Sequence, residues 1–172
     1  MKAFAIVAAL LCLSVVGASA QAINAAQIAH IVVTANQVDI DAGKLAASMG
    51  TNAEVKKFGQ MMVTDHTGVN KQAGDLAAKL KVTPADNPTS QSLKEGGDKN
   101  VANLKTLKGA AFDKAYIDNE VGYHQAVLDA VDKTLIPGAS NAELKALLVK
   151  VRPAFVAHRD HAKSLQSTSE DR

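Results

Sequence analysis

Residues 52–66, NAEVKKFGQMMVTDH, contain the pattern that decides the fold. Asn52 is a good helix N-cap, Glu54 stands in the favourable first turn, and the apolar residues that follow recur every three or four positions. The same spacing continues beyond His66 and predicts one long amphipathic helix. Its apolar stripe comprises Val55, Phe58, Met62, His66, Val69, Ala73, Leu76 and Leu80. A histidine therefore lies on the face that this helix is expected to bury.

Three further segments have the same helical spacing of apolar residues. The stripe of the first comprises Ile28, Val32, Ala35, Val38, Ala42, Leu45 and Met49, with Gly50 as a suitable stop. The stripe of the next comprises Phe112, Tyr116, Ile117, Glu120, Tyr123, His124, Val127 and Val131. The last stripe comprises Leu144, Leu148, Val151, Phe155, His158, Ala162 and Leu165. Four such stripes are buried most economically in an antiparallel four-helix bundle.

A crossing segment separates the second and third long helices. Residues 83–88, TPADNP, contain two prolines and cannot continue a helix. Residues 90–107 form a weak helical stretch that Gly96 and Gly97 are expected to break. The sequence therefore predicts an all-α, ferritin-like antiparallel four-helix bundle with a crossover segment that carries a short extra helix.

Five glycines fall inside the predicted long helices, where each costs about 1 kcal/mol relative to alanine. They are Gly43, Gly59, Gly68, Gly74 and Gly122. We attribute them to close packing between helices, with space for a ligand as the alternative.

The first twenty residues have the pattern of a secretory signal peptide. Lys2 precedes the apolar residues 3–16, and the small residues 18–20, Ala-Ser-Ala, form a suitable cleavage site. We expect export to the periplasm, cleavage, and one domain over residues 21–172, with no transmembrane anchor after processing. A permanent anchor is the alternative, but the apolar run is shorter than the roughly 20 residues that span a bilayer. Cleavage also removes Cys12, the single cysteine, and with it any disulfide or thiol chemistry.

Composition and motifs exclude several classes of function. The formal net charge of +2 is too small for the basic field that non-specific nucleic-acid binding needs. The sequence contains no Gly-rich phosphate loop, no His-Glu-x-x-His and no Gly-x-Ser-x-Gly elbow. No complete catalytic set is present, so catalytic residues stay unassigned and no organic cofactor is expected.

Three of the five histidines lie in the apolar stripes of three different helices. His66, His124 and His158 should all point inward, and neutral imidazoles are good ligands for zinc, copper or iron. Glu120 precedes His124 by one turn. Asp39 and Asp41 flank the Val38 to Ala42 part of the first helix. The predicted metal ligands are therefore the three histidines, with Glu120 or Asp41 completing the set.

Two other interpretations of these histidines stay open. They can form a hydrogen-bonded network with the carboxylates, or they can occupy unrelated surface positions. Glu120 and His124 are four residues apart, unlike the Glu-x-x-His pair of a ferritin-type di-iron site. His30 lies off its stripe and is expected to be solvated, and His161 can either join the site or face water.

Several stretches of the chain resemble a bacterial family of exported ferritin-like bundle proteins, domain of unknown function 4142. They are residues 38–46 (VDIDAGKLA), residues 52–66, residues 112–118 (FDKAYID), His124, and Pro153 with His158 five residues later. The resemblance implies an up-and-down bundle with a crossover, in the periplasm or at the outer membrane, and no settled reaction. Members often have glutamates where this chain has Asp39 and Asp41.

These observations lead to a primary functional hypothesis and two alternatives. The first is a non-enzymatic periplasmic protein linked to envelope stress, with an inward cluster of histidines and carboxylates. The second is a metal-binding or metal-dependent redox protein of ferritin-like type. The third is a binding module that associates with the envelope, a partner or a second copy of itself through an exposed helix face.

Overall fold

The computed structural model describes residues 23–170, so the predicted signal peptide and Cys12 lie outside the described residues. Helices account for most of this range, and no strand occurs within it. The helices are α1 (Ala25–Met49), α2 (Ala53–Leu80), α3 (Pro88–Thr106), α4 (Gly109–Ala130), α5 (Ile136–Gly138) and α6 (Ala142–Glu170), with a π-helical segment, Val131–Leu135, between α4 and α5. The predicted all-α class is confirmed.

Three helix pairs are antiparallel. In each pair, residues later in one helix contact residues earlier in the other. In α1 and α2, the Asn36 side chain contacts His66, and the Val33 carbonyl accepts from Asn70. Between α6 and α4 with the π-helical segment that continues it, Arg159 donates to Gln125 of α4 and Arg152 donates to Asp132 of the segment. In α2 and α6, Lys150 donates to Gln72 and Lys79 to Glu143.

Helix α4 also runs antiparallel to α1. The Tyr123 hydroxyl donates to the Ala35 carbonyl, and nearer the other end of α1 the Asp113 carboxylate accepts from the Thr51 and Asn52 backbone N–H groups. Asp113 thus fixes the turn between α1 and α2 to the start of α4. The predicted cap of α2 is confirmed as well, since the Asn52 side chain accepts from the backbone N–H of Glu54 at 2.8 Å.

The crossing segment differs from the sequence prediction. Helix α3 is a continuous 19-residue helix rather than a short one, and it is not broken at Gly96 and Gly97. Pro88 stands in its first turn, and Asn87 and Ser90 form a capping box there. Gly97 is retained in the helix because it packs on α1, where a Cβ atom would lie 2.6 Å from Val38 Cγ2. Helix α3 runs parallel to α1. It brings the chain back to the end of the molecule where α2 began, so that α4 can run antiparallel to α1.

The core consists of two apolar clusters with a polar layer between them. One cluster contains Ile28, Val69, Leu128 and Phe155, and the other contains Ala42, Met62, Ile117 and Ala162, among others. On each of α1, α2, α4 and α6, buried polar residues lie in sequence between the members of the two clusters. They are Asn36, Asp39, His66, Glu120, His124 and His158. Within residues 23–170, no helix is long and apolar enough to cross a membrane.

Gly43 and Gly59 allow α1 and α2 to approach closely. A Cβ atom on Gly43 would lie 2.8 Å from the Gly59 carbonyl oxygen, and one on Gly59 would lie 2.7 Å from the Cβ of Ala46. Gly68, Gly74 and Gly122 have open space at the same position. Close packing therefore accounts for the first two glycines and does not account for the other three.

Alanine substitution should separate the two kinds of glycine. We expect Gly43→Ala and Gly59→Ala to lower the free energy of unfolding by roughly 1–3 kcal/mol, because the added methyl group forces apart two backbones. Gly68→Ala and Gly122→Ala are the controls and should leave it unchanged or raise it by up to about 1 kcal/mol through helix propensity. Urea unfolding of the four variants measures this, and equal effects in both pairs would contradict the packing explanation.

Candidate metal centre

The three histidines of the polar layer lie together in the interior of the protein. His66, His124 and His158 are 3%, 1% and 4% exposed. Their ring centroids form a nearly equilateral triangle, with separations of 5.6 Å between His66 and His124, 5.4 Å between His124 and His158, and 5.2 Å between His66 and His158. Unrelated surface positions are thereby excluded for these three residues. His30 instead contacts Ser90 Oγ at 2.9 Å, and His161 is exposed and packs its ring on Phe58.

A hydrogen bond from α1 determines which nitrogen of His66 carries the proton. The Asn36 side-chain N–H donates to the Val32 carbonyl at 2.9 Å, so the Oδ1 atom of Asn36 is the one that faces His66. This Oδ1 lies 2.7 Å from His66 Nδ1. Because an amide oxygen only accepts, His66 Nδ1–H is the donor, and the neutral ring keeps a lone pair on Nε2.

The other two rings are oriented in the same way by acceptors. His124 Nδ1 lies 3.1 Å from the Glu120 carbonyl oxygen, and His158 Nε2 lies 2.9 Å from Asp65 Oδ2. Each of these nitrogens therefore donates its N–H. The adjacent position of Asp65 and His66 on α2 directs them to different partners, since neighbouring residues point about 100° apart.

The remaining nitrogen of each ring is buried without a hydrogen-bond partner among the described residues. These atoms are His66 Nε2, His124 Nε2 and His158 Nδ1. One ligand nitrogen from each ring lies within 4.8 Å of those from the other two rings. The interior thus contains three converging imidazoles, each with a free lone pair, which is the form of histidine that binds a metal ion.

Two buried carboxyl groups adjoin the three rings. Asp39 Oδ2 lies 3.1 Å from His66 Nε2 and 3.5 Å from His124 Nε2. Glu120 is fully buried, and neither of its carboxyl oxygens has a hydrogen bond of good geometry, although Oε2 lies 3.4 Å from His124 Nδ1. Ligand atoms of Asp39, Glu120 and His124 also lie within 4.8 Å of one another. His124 therefore belongs to both groups of ligand atoms.

The prediction that Asp41 completes the ligand set is not supported by its position. The Asp41 side chain is 49% exposed, accepts from Gln37 at 2.9 Å and pairs with Lys44 at 3.3 Å. Two residues along an α-helix correspond to about 200° of rotation, so Asp39 and Asp41 point in nearly opposite directions. Asp39 points inward. It lies four residues after Ala35 and three before Ala42, so the helical spacing of the apolar stripe is the signal that could have identified it. Asn36 was missed because its role depends on a partner in α2.

Burial sets the protonation states of the polar layer. Loss of hydration raises the pKa of Asp39 to about 7, with a contact from Glu120 moderating the increase. Burial, and then the Asp39 carboxyl, raise the pKa of Glu120 well above its usual value. Burial lowers the pKa of His66 to about 2 and that of His124 to about 4, and it also lowers the pKa of His158. The layer therefore favours neutral imidazoles and protonated carboxyl groups.

Residues 13–165 match a protein family that is described as domain of unknown function (DUF4142). The matched range includes all three histidines and both buried carboxyl groups of the layer. No curated protein and no solved structure matches the chain. The resemblance derived from the sequence motifs is thereby confirmed.

The metal-free protein should show opposing pH effects from Asp39 and His66. Between its unfolded pKa of 3.8 and its folded pKa of about 7, Asp39 binds a proton only in the folded state. Its contribution to the free energy of unfolding is fully present below pH 3.8 and is lost as the pH rises through 7. His66 acts in the opposite direction, because below pH 6.5 the unfolded chain binds a proton that the folded protein excludes. Its contribution is present above pH 6.5 and is lost as the pH falls.

Asp39→Asn isolates the first effect, because an amide resembles the protonated carboxyl group. In EDTA, the free energy of unfolding of the wild type relative to this variant should fall between pH 4 and pH 7, by at most about 1.4 kcal/mol per pH unit. Urea unfolding at half-unit pH intervals measures the difference. Asp41→Asn is the matched surface control. A wild type that gains stability relative to Asp39→Asn over this range would refute the assignment.

Proposed function

We propose that this chain, which belongs to the DUF4142 family, is a metal-binding helical protein. His66, His124 and His158 would hold one transition-metal ion, with Asp39 and Glu120 as the carboxylates beside it. The observation that carries the proposal concerns the two nitrogens of each ring: one donates to a fixed acceptor, the other is buried and unpaired, and one ligand nitrogen of each ring lies within 4.8 Å of those of the other two.

The acceptors behind the rings correspond to the outer shell of a metal site. Histidines that bind metals donate their other N–H to a carboxylate, a carbonyl or a similar group, which fixes the ring and its tautomer. Asn36, the Glu120 carbonyl and Asp65 occupy these three roles. The lowered pKa values of His66 and His124 also favour binding, because at neutral pH neither ring carries the second proton that a metal ion would have to displace.

The donor set narrows the choice of metal. Imidazole nitrogens with one or two carboxylate oxygens suit zinc, copper or iron, whereas magnesium and calcium prefer sites made of oxygen alone. No lysine or arginine is among the buried residues of the described range. The charge of a divalent cation would therefore be balanced by Asp39 and Glu120, which would release their protons when the ion binds.

The helix arrangement supports a finer description of the fold. We infer that α1, α2, α4 and α6 form a ferritin-like antiparallel four-helix bundle, with α3 as its crossover. The support comes from the antiparallel contacts of these helices and from the parallel course of α3 along α1, seen in the Val38 and Gly97 contact. Glu120 and His124, four residues apart, distinguish this site from a Glu-x-x-His di-iron centre.

A metal-free polar layer is the second candidate function of these residues. In that case the chain is a non-enzymatic protein linked to envelope stress, as the sequence first suggested, and the hydrogen bonds of the layer serve only to specify the bundle. The bonds from Asn36 to His66 and from His158 to Asp65 favour it, since both join different helices. Metal content separates the two candidates.

We also propose that the protein works outside the cytoplasm. The support is the pattern of residues 1–20, with Ala18 to Ala20 as the cleavage site. N-terminal sequencing of the protein recovered from a periplasmic fraction should show Gln21 as the first residue. An association with the outer membrane would place the same processed chain in the washed membrane fraction, and an unprocessed chain in the cytoplasm would contradict export.

The metal proposal predicts a stoichiometry and its dependence on named histidines. Untagged protein purified without chelator should contain close to one equivalent of zinc, copper or iron by elemental analysis, and that metal should raise the melting temperature of the EDTA-treated protein. His66→Ala, His124→Ala and His158→Ala should each lose the metal. His30→Ala and His161→Ala remove the two histidines outside the triangle and should retain it.

A variant of the outer shell tests the role of the acceptors separately. Asp65→Ala removes the partner of His158 Nε2 without removing a ligand, and it should weaken metal affinity roughly 10- to 100-fold. Lys71→Ala, on the exposed part of the same helix, should not change it. Wild-type protein without stoichiometric metal, and without a thermal shift on adding any of the three metals, would favour the metal-free layer.

A further inference from the structure

An apolar cavity lies directly beside the polar layer. Its volume is about 120 Å³, and most of its lining comes from α1, α4, the π-helical segment and α6, with Thr89 and Leu93 of α3 and His66 of α2 completing it. Apolar side chains form most of the lining, among them Ile31, Val131, Leu135, Leu148 and Phe155. Asn36, Asp39 and His66 of the polar layer also line the cavity. The cavity is therefore an apolar space that lies against carboxyl and imidazole groups of the layer.

The size and lining of the cavity define the ligands that fit. An apolar cavity of about 150 Å³ stays free of water and binds benzene or xenon, because water finds too few hydrogen-bond partners there. The cavity of this protein is slightly smaller. No lysine or arginine lines it, so an anion would lose its hydration without gaining a countercharge. Its chemistry selects small, uncharged, apolar molecules.

A surface groove adjoins this cavity. A groove of about 560 Å³ lies among α1, α3 and α4, and it shares Thr89, Leu93 and Tyr123 with the inner cavity. These three side chains thus form the wall that separates the two spaces. The Tyr123 hydroxyl is held on the Ala35 carbonyl at 2.9 Å, and Thr89 and Leu93 belong to the first turns of α3. Rotation of side chains in this wall would connect the groove to the cavity.

We propose that the cavity is a binding site for a small uncharged apolar molecule, no larger than benzene, which enters from the groove past Thr89, Leu93 and Tyr123. The bound molecule lies against His66 and Asp39, beside the proposed metal ion. The site does not depend on the metal, because most of its lining consists of apolar side chains that bind no metal. The bound molecule excludes water from one side of the polar layer.

Xenon and benzene are the probes for this site, used on the full chain in EDTA. Xenon diffusing into crystals should give density among Leu148, Val151 and Phe155, and benzene should raise the melting temperature in a saturable way. Ala35→Leu places a larger side chain into the cavity and should weaken benzene binding at least tenfold. Gly122→Ala, next to Tyr123 in the chain but with open space around it, is the matched control and should bind as the wild type does.

Two further variants keep the test decisive where Ala35→Leu does not fold. Ala130→Leu fills the cavity from α4 and should also abolish binding, whereas Val151→Ala enlarges it and should strengthen benzene binding. Absence of xenon density and of a benzene shift in the wild type would overturn the proposal, as would unchanged binding in both filled variants. Metal content is measured separately on protein without EDTA, so a failed metal site and a failed cavity site give different results.

Discussion

Two hydrogen-bond acceptors, His66 Nε2 and Asp39 Oδ2, face each other in the interior, and the rest of the structure depends on how the repulsion between them is relieved. His66 donates through Nδ1 to Asn36, so its Nε2 is a bare lone pair, and this lone pair lies 3.1 Å from Asp39 Oδ2. A lone pair and an ionised carboxylate repel each other at this distance, particularly where water is absent. A proton or a metal ion must therefore lie between them. Burial lowers the pKa of His66 to about 2 and raises that of Asp39 to about 7, so the proton belongs to Asp39 rather than to His66. The raised pKa of Asp39 corresponds to the first solution and the converging histidines to the second.

The polar layer also fixes how the helices are arranged. Asn36 with His66 joins α1 to α2, and Asp65 with His158 joins α2 to α6. A buried polar group that loses its partner costs about 1–3 kcal/mol, so sliding or rotating one helix carries several such penalties at once. The apolar clusters on either side supply the driving force for association, but they are less specific about register. The close approach at Gly43 and Gly59, two turns away, brings α1 near enough to α2 for the first of these bonds to form.

The stripes of the four long helices and the inward histidines could be predicted from the sequence, because each depends only on spacing within one helix. A histidine between Met62 and Val69 has to share their face. The differences from the sequence expectations concern relations between helices and the choice between residues that are close in the sequence. Asp41 is the predicted ligand, but about 200° of helical rotation separates it from Asp39, and Asp39 is the one that lies beside the histidines. Helix α3 was expected to break at Gly96 and Gly97, because the sequence does not show that Val38 of α1 packs against Gly97. Asn36 was missed for the same reason, since its partner lies in another helix.

A layer that served only to align helices would be expected to pair its polar atoms. A proton on Asp39 can be donated to His66 Nε2, but His124 Nε2 and His158 Nδ1 still have no hydrogen-bond partner among the described residues. Two such atoms, at a cost of about 1–3 kcal/mol each, are a sizeable fraction of the stability of a domain of this size. A metal ion bound by the three rings would satisfy both of these nitrogens together with His66 Nε2, and it would attract the charges of Asp39 and Glu120. The surrounding apolar side chains strengthen this attraction, because they keep water from screening it. The same burial that makes the metal-free layer costly would therefore make the loaded layer stable, and for this reason we favour metal binding over a purely structural role.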